Sequence, residues 1–93
     1  MDNNTISAFH ISSNKDGVLK LSTNRLYNWH IPKRLRSKHI QPGDIVLVHT
    51  KKGKAHVLVM NVFREELEET NRRYDYVYKI IERAPKKVEL NSF

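Results

Sequence analysis

Two aromatic residues, Tyr27 and Trp29, lie two positions apart shortly before Pro32. The residue that precedes a proline is disfavoured in the helical conformation, so we expect this segment to be extended. Side chains two positions apart in an extended segment lie on the same face of the strand. Rings on such a face either stack on nucleobases or anchor the core of a small β domain. We expect Trp29 to lie mostly in the core and Tyr27 to lie at the rim of a pocket beside Asn28.

Positive charge is concentrated near these aromatic residues. The chain has a formal net charge of +7, and residues 27–55 contain seven lysines or arginines but one acid. DNA, RNA, an anionic membrane surface or an acidic protein surface would be a natural partner of such a segment, whereas evenly spread charge would serve only solubility. We expect Gly53, in the tip formed by residues 51–54, to adopt a backbone conformation that β-branched residues resist and to lie in the same site. The candidate phosphate-binding residues are Lys33, Arg34, Arg36, Lys38, Lys51, Lys52 and Lys54.

The sequence contains none of the familiar catalytic motifs. It has no Gly-rich phosphate loop, no His-Glu-x-x-His and no nucleophile elbow, so we expect a protein that is not an enzyme and that needs no cofactor. His49 and His56 flank the tip and could lie across from one another, but two histidines without a third ligand make a poor zinc site. We therefore expect no metal. Asp44 follows Pro-Gly and is better explained as a turn residue than as a general base.

The sequence also bears on the compartment. It contains no cysteine, so no disulfide stabilises the chain. No apolar run approaches the ~18 residues of a membrane span. The first five residues lack the charged and apolar regions of a signal peptide. We expect a cytoplasmic location.

The pattern of apolar residues and turn signals predicts a mainly β protein. We expect a small antiparallel barrel of five to six strands, SH3-like or OB-like, with at most one or two short helical turns. Asp16-Gly17 predicts a tight hairpin turn, and a helical turn is expected over residues 33–39 after Pro32. One domain is expected over residues 1–85, with a flexible tail over 86–93. The expected extended segments are residues 5–11, 18–21, 24–31, 44–50, 55–63 and 74–81.

A ladder of tyrosines marks the last of these strands. Strict alternation would place Tyr74, Tyr76, Tyr78 and Ile80 on one face of the sheet. The rings either pack across strands while half-buried or offer a stacking platform for a base.

The order of features from Tyr27-Asn28-Trp29 onward resembles the N-terminal DNA-binding domain of the primosomal replication-restart helicases. That domain shows an aromatic-Asp-Tyr segment, Leu-Pro, a strand opened by glycine, a Pro-Phe-Gly turn and a last strand that ends in proline. Here Ile31-Pro32 stands for Leu-Pro, residues 43–48 for the glycine-led strand and residues 79–85 for the closing strand. Asn28 replaces the acid, and His49-Thr50-Lys51-Lys52-Gly53 replaces the Pro-Phe-Gly turn. The chain also looks like small uncharacterised barrel proteins of Gram-positive bacteria and their phages.

The resemblance implies a small β-barrel that captures the 3′ end of a DNA strand at a fork. It would place Tyr27, Asn28, Trp29 and Gly53 around the pocket. Asn28 could still bond a terminal sugar hydroxyl, because an amide both donates and accepts.

Two functions therefore compete. The first is non-catalytic binding of nucleic acid, DNA rather than RNA and single-stranded or at a junction, through the basic residues with aromatic stacking. The second is an SH3-like module that grips an extended peptide of a partner protein. The sequence leaves the oligomeric state open.

Overall fold

The computed structural model describes residues 3–66 and 75–84. The strands are β1 (Thr5–Lys15), β2 (Val18–His30), β3 (Ile45–Thr50), β4 (Gly53–Phe63) and β5 (Val77–Glu82), and a short helix, α1 (Lys33–Arg36), follows β2. The five strands form one sheet in the order β2-β1-β4-β3-β5, and neighbouring strands are antiparallel. The expected mainly β fold with little helix is confirmed. The expected tail over 86–93 and Tyr74 lie outside the described residues.

The barrel predicted from the sequence is not closed. Within the described ranges, the two edge strands meet at one isolated parallel bridge between His30 and Tyr76. There the His30 N–H donates to the carbonyl of Asp75 at 2.8 Å. A longer ladder cannot follow on β2, because Pro32 has no N–H to donate and its ring fixes φ as the chain enters α1. The result is a curled sheet whose concave face is open at one end.

The core lies on the concave face of this sheet. Cross-strand pairs such as Val46 with Val57 point inward and are fully buried, as the period of two in a strand requires. Trp29 is also in the core, with 4% of its surface exposed, as expected. The full set of buried apolar residues in the core cluster is Ile6, Ala8, Trp29, Ile31, Leu35, Ile40, Val46, Val48, Val57, Val59 and Val77.

The hairpin of β1 and β2 is longer than the sequence predicted. Its turn is at Asp16-Gly17, as expected, and both residues have positive φ. The two predicted segments after the turn are one strand with an irregular stretch, because Ser22 pairs with His10 whereas Tyr27 pairs with Ala8. Residues 23–26 form a large irregular bulge opposite Phe9 of β1.

The hairpin of β3 and β4 has a tighter tip than the four-residue loop predicted. Thr50 pairs with Gly53, so the turn consists of Lys51 and Lys52, and Gly53 is the first residue of β4. The Thr50 hydroxyl donates to the Gly53 carbonyl at 2.6 Å and closes the turn. Gly53 has a φ of +118°, which confirms the expected conformation.

The predicted pairing of His49 with His56 across this hairpin is wrong. His49 pairs with Lys54, and His56 pairs with Leu47. Because the turn has only two residues, each residue of β3 pairs with a different residue of β4 from the one expected. His49 and His56 therefore lie diagonally to one another on the convex face.

Two bulges in β5 overturn the predicted tyrosine face. Val77 pairs with Val48 and Ile80 pairs with Val46, so both lie on the core side, separated by three positions instead of two. Strict alternation fails because an extra residue is inserted at Tyr78. Ile80 therefore does not share a face with the tyrosines.

Asp44 joins the loop before β3 to the end of β5. Its side chain is 1% exposed. One carboxylate oxygen accepts from the N–H of Gln41 at 2.9 Å and from the Arg83 guanidinium at 3.0 Å, and the other accepts from the N–H of Ala84 at 2.6 Å. The sequence predicted a turn residue, and the structure adds a buried carboxylate that holds two distant segments together.

Candidate nucleic-acid interface

A cavity opens at one end of the concave face of the sheet, next to the core residue Trp29. Tyr27 and Trp29 lie on the core side of β2, since they pair with Ala8 and Ile6, which are fully buried. Thr50, at the end of β3, approaches from the opposite side of the curl. The space between has a volume of about 380 Å³ and is lined by His10, Tyr27, Asn28, Trp29, Thr50, Lys51 and Asp75. We call it the aromatic cavity.

Of the two aromatic residues of β2, Trp29 forms the wall of the cavity and Tyr27 forms its rim. The Trp29 indole N–H donates to the carbonyl of His49 at 3.0 Å, which fixes the buried ring. Tyr27 is 40% exposed, and its ring centroid lies 6.0 Å from that of Trp29. The His10 ring contacts both rings edge-on, at 5.2 Å from Tyr27 and 5.5 Å from Trp29. The cavity therefore presents a half-exposed ring that neighbouring rings hold in place.

Polar and charged groups surround the exposed ring. Arg25, in the bulge of β2, places its guanidinium carbon 4.9 Å from the centroid of the Tyr27 ring. Lys51 lines the cavity from the hairpin tip and is exposed. Asn28 accepts a hydrogen bond from the Ser7 hydroxyl at 2.7 Å, which orients its amide. Asp75 supplies a carboxylate to the lining.

A second cluster of aromatic and cationic side chains lies on the convex face. The Lys54 ammonium is 3.8 Å from the centroid of the Tyr78 ring, and the Arg34 guanidinium carbon is 5.9 Å from it. Arg34 also donates to the carbonyl of Tyr78 at 2.6 Å. The His49 ring lies 4.3 Å from the Tyr76 ring and 5.4 Å from the Tyr78 ring. We call these five residues the tyrosine strip; it extends from α1 to the tip of the hairpin of β3 and β4.

The predicted basic residues fall into different positions. Lys33, Lys38 and Lys52 are exposed and lie outside both clusters. Arg36 is half-buried, and its guanidinium donates to the carbonyl of Ile31 at 3.0 Å, so part of its donor capacity is used within the fold. Gly53 does not line the aromatic cavity, where the resemblance would place it, because the tighter turn moves it into β4.

His30 is held neutral beside this region. Burial lowers the pKa of His30, and the positive charge of Arg36 lowers it further. The Arg36 guanidinium lies 3.2 Å from Nε2 of His30. A guanidinium can only donate, so Nε2 accepts and the ring proton is on Nδ1. His30 therefore contributes no positive charge at neutral pH to the neighbouring bridge with Tyr76.

Sequence reasoning missed four residues of the aromatic cavity region. His10 continues the inward-facing series of Ile6 and Ala8, and this alternation is the signal that could have identified it. Arg25 reaches the region because it lies in the bulge of β2. Thr50 is placed there by the pairing register of β3 with β4, and Asp75 by the bridge between the two edge strands. None of these three features has a clear local signature.

Two searches of the described residues gave negative results. No group of three or more His, Asp or Glu side chains in residues 3–66 and 75–84 is placed to hold a metal ion. In the same part of the chain, no helix has the length and apolar character to cross a membrane.

Comparison with known proteins gives a single result. The chain matches no curated protein and no solved structure. The profile of one protein family matches residues 1–83, which is most of the chain. By that match, the chain belongs to the Family of unknown function (DUF5839).

Proposed function

We propose that this protein is a non-catalytic module that binds DNA, single-stranded or at a junction, with a base in the aromatic cavity. The observation that carries the proposal is the half-exposed Tyr27 ring, held by Trp29 and His10 in an open cavity with Arg25 and Lys51 beside it. A cytoplasmic location and a preference for DNA over RNA belong to this proposal.

Stacking supplies the first part of the argument. A base that stacks on an aromatic side chain contributes about 1–3 kcal/mol, and any base can do so because each has a π face. The cavity of about 380 Å³ is large enough for one base beside Tyr27. Asp75, in the lining, offers a carboxylate that can accept from its edge.

Charge supplies the second part. Lys51 and Arg25 flank the cavity, and Arg34 and Lys54 flank Tyr78 on the convex face. Phosphates of a strand that leaves the cavity would meet these cations, which contribute affinity without sequence information. The proposed binding is therefore weakly sequence-specific and strongly dependent on salt.

The test is fluorescence anisotropy of a labelled oligo(dT) over a series of KCl concentrations. If ~4 phosphates are engaged, the logarithm of the binding constant should fall against the logarithm of salt with a slope near −3. Lys51→Gln should reduce the slope by about 0.7, the value of one contact on a single strand. Lys79→Gln makes the same charge change on the convex face of β5 and should leave the slope unchanged. Absence of binding at low salt, or binding that does not vary with salt, would overturn the proposal.

The tyrosine strip favours a second candidate function. Tyr76 and Tyr78 are exposed on a surface that also carries Lys54 and Arg34. Aromatic surfaces of small β domains grip extended peptides, and here the cations would select an acidic one. Competition decides between the two: an acidic peptide that binds while excess oligo(dT) fails to displace it would favour the protein-interaction module.

A further inference from the structure

The distal part of the first hairpin extends beyond the sheet. β1 pairs with β4 only from Thr5 to His10, whereas its pairing with β2 continues to the turn. Residues 11–22 therefore form a two-stranded ribbon, which we call the arm. The described part of the chain extends 47 Å along its longest axis and 23 Å along its shortest.

The two faces of the arm differ in character. The pair Ile11 and Leu21 lies on one face, together with Leu19, and all three side chains are partly buried. Ile11 also lines a cleft of about 270 Å³ with Ile45 and Ile81 of the sheet. At the base of the arm, Ile11 therefore faces the sheet.

The opposite face of the arm carries two lysines together with Ser13 and the exposed Val18. The pairs Lys15 with Val18 and Ser13 with Lys20 alternate with the apolar pairs, so they lie on this second face. Both lysines are exposed. In residues 3–66 and 75–84, neither lysine takes part in an ion pair. The acid in the arm, Asp16, is confined to the turn.

The basic face leads directly into the aromatic cavity. The next pair on that face is His10 with Ser22, and the His10 ring contacts Tyr27 and Trp29. At about 3.4 Å per residue, Lys20 lies ~7 Å and the pair of Lys15 and Val18 lies ~14 Å beyond His10 along the strand. This distance corresponds to about two to four base-pair steps of B-DNA.

From this continuity we infer that the arm is a second DNA-binding element, which lies along duplex DNA while the adjoining single strand enters the aromatic cavity. The inference rests on the proposed function and specifies its ligand as a junction between single-stranded and duplex DNA. The major groove of B-DNA, about 12 Å wide, accepts a two-stranded β ribbon. Lys15 and Lys20 contact the phosphates that border the duplex.

The experiment compares three labelled DNAs: a single strand of about eight nucleotides, a blunt hairpin of one helical turn, and the hairpin carrying that strand as a tail. The tailed hairpin should bind on the order of 10-fold more tightly than the strand alone. Its salt slope should be steeper by about 2, since each phosphate contact on B-DNA contributes about 0.9. The double variant Lys15→Gln/Lys20→Gln should bind the single strand normally and lose this added affinity and slope.

A control variant and the pattern of outcomes separate the proposal for the aromatic cavity from the inference about the arm. Lys79→Gln should leave all three affinities unchanged, and circular dichroism should show every variant folded. If the single strand binds but the tailed hairpin binds no more tightly than that strand, or if the double variant weakens both ligands equally, the arm is not a duplex contact and only the base cavity stands. If none of the DNAs binds, the proposed function fails and the arm inference fails with it. Self-association of the free protein that the double variant abolishes would assign the arm to a second copy and overturn the inference.

Discussion

Trp29 and Tyr27 lie on the same face of β2, but Trp29 is assigned to the core and Tyr27 to the binding site. Substituting each by alanine therefore tests both assignments. Trp29 is 4% exposed and its indole N–H donates to the carbonyl of His49. Removing a buried tryptophan side chain costs about 3–5 kcal/mol. A chain of this length has a total stability on the order of 5–14 kcal/mol. We therefore expect Trp29→Ala to be marginally folded or unfolded at 25 °C.

Tyr27→Ala should behave differently. The ring is 40% exposed, so its removal should cost about 1–2 kcal/mol of stability and leave the protein folded. If a base stacks on this ring, the affinity for single-stranded DNA should fall by about 1–3 kcal/mol, which is roughly 5- to 150-fold. Met60→Ala is the matched control, since Met60 is 44% exposed on a bulge of β4 and lies outside the cavity.

Circular dichroism with urea denaturation and fluorescence anisotropy measure the two effects. Trp29→Ala with wild-type stability would refute the assignment of Trp29 to the core. Folded Tyr27→Ala with unaltered affinity would refute the assignment of Tyr27 to the site. Both results together would remove the physical basis of the aromatic cavity.

Three further predictions concern stability. Gly53→Val should cost ~1 kcal/mol or more, because a φ of +118° strains a β-branched residue; an unchanged urea midpoint would contradict this. Asp44→Ala should cost on the order of 2–5 kcal/mol in the same assay, because it leaves the backbone N–H groups of Gln41 and Ala84 without their acceptor, and a loss below ~1 kcal/mol would refute the role of Asp44. The lowered pKa of His30 means that the unfolded chain binds more protons, so stability is complete above about pH 6.5 and declines as the pH falls below it. His30→Gln should remove this part of the decline in a pH series, and an identical pH profile would contradict the prediction.

Local signals in the sequence were sufficient for several elements. Asp16-Gly17 identified the first turn because a tight hairpin needs positive φ, and both residues have it. Consecutive apolar, β-branched residues identified β3 and β4, and the valines at their inward positions are fully buried. The segment before Pro32 was extended, and Trp29 was buried as expected.

The errors arose where long-range pairing overrides the local pattern. The bulge at Tyr78 breaks the alternation of side chains in β5. The two-residue turn at Lys51-Lys52 pairs His49 with Lys54 and His56 with Leu47, so the two histidines are not opposite one another. A closed barrel was predicted because strand composition does not report whether the edges meet. That outcome depends on where Pro32 ends β2.

The candidate site was only partly accessible to sequence reasoning for the same reason. Tyr27, Asn28, Trp29 and Lys51 were chosen from residue type and spacing, and the structure brings them to one cavity. Arg36 was chosen for its charge, but it donates to the backbone of Ile31. The basic face of the arm was not foreseen, because it follows from the register of Lys15 and Lys20 with their partners.

The most direct test of the central claim is an NMR titration of the ¹⁵N-labelled protein with a short single-stranded DNA at low salt. The account predicts that the largest shift changes fall on the lining of the aromatic cavity, above all the Trp29 indole N–H and the amides of His10, Tyr27 and Lys51. Amides at the distant cleft of Ile45 and Ile81 should remain unperturbed. Shift changes confined to that cleft, or none at saturating DNA, would contradict the claim that this cavity binds a base.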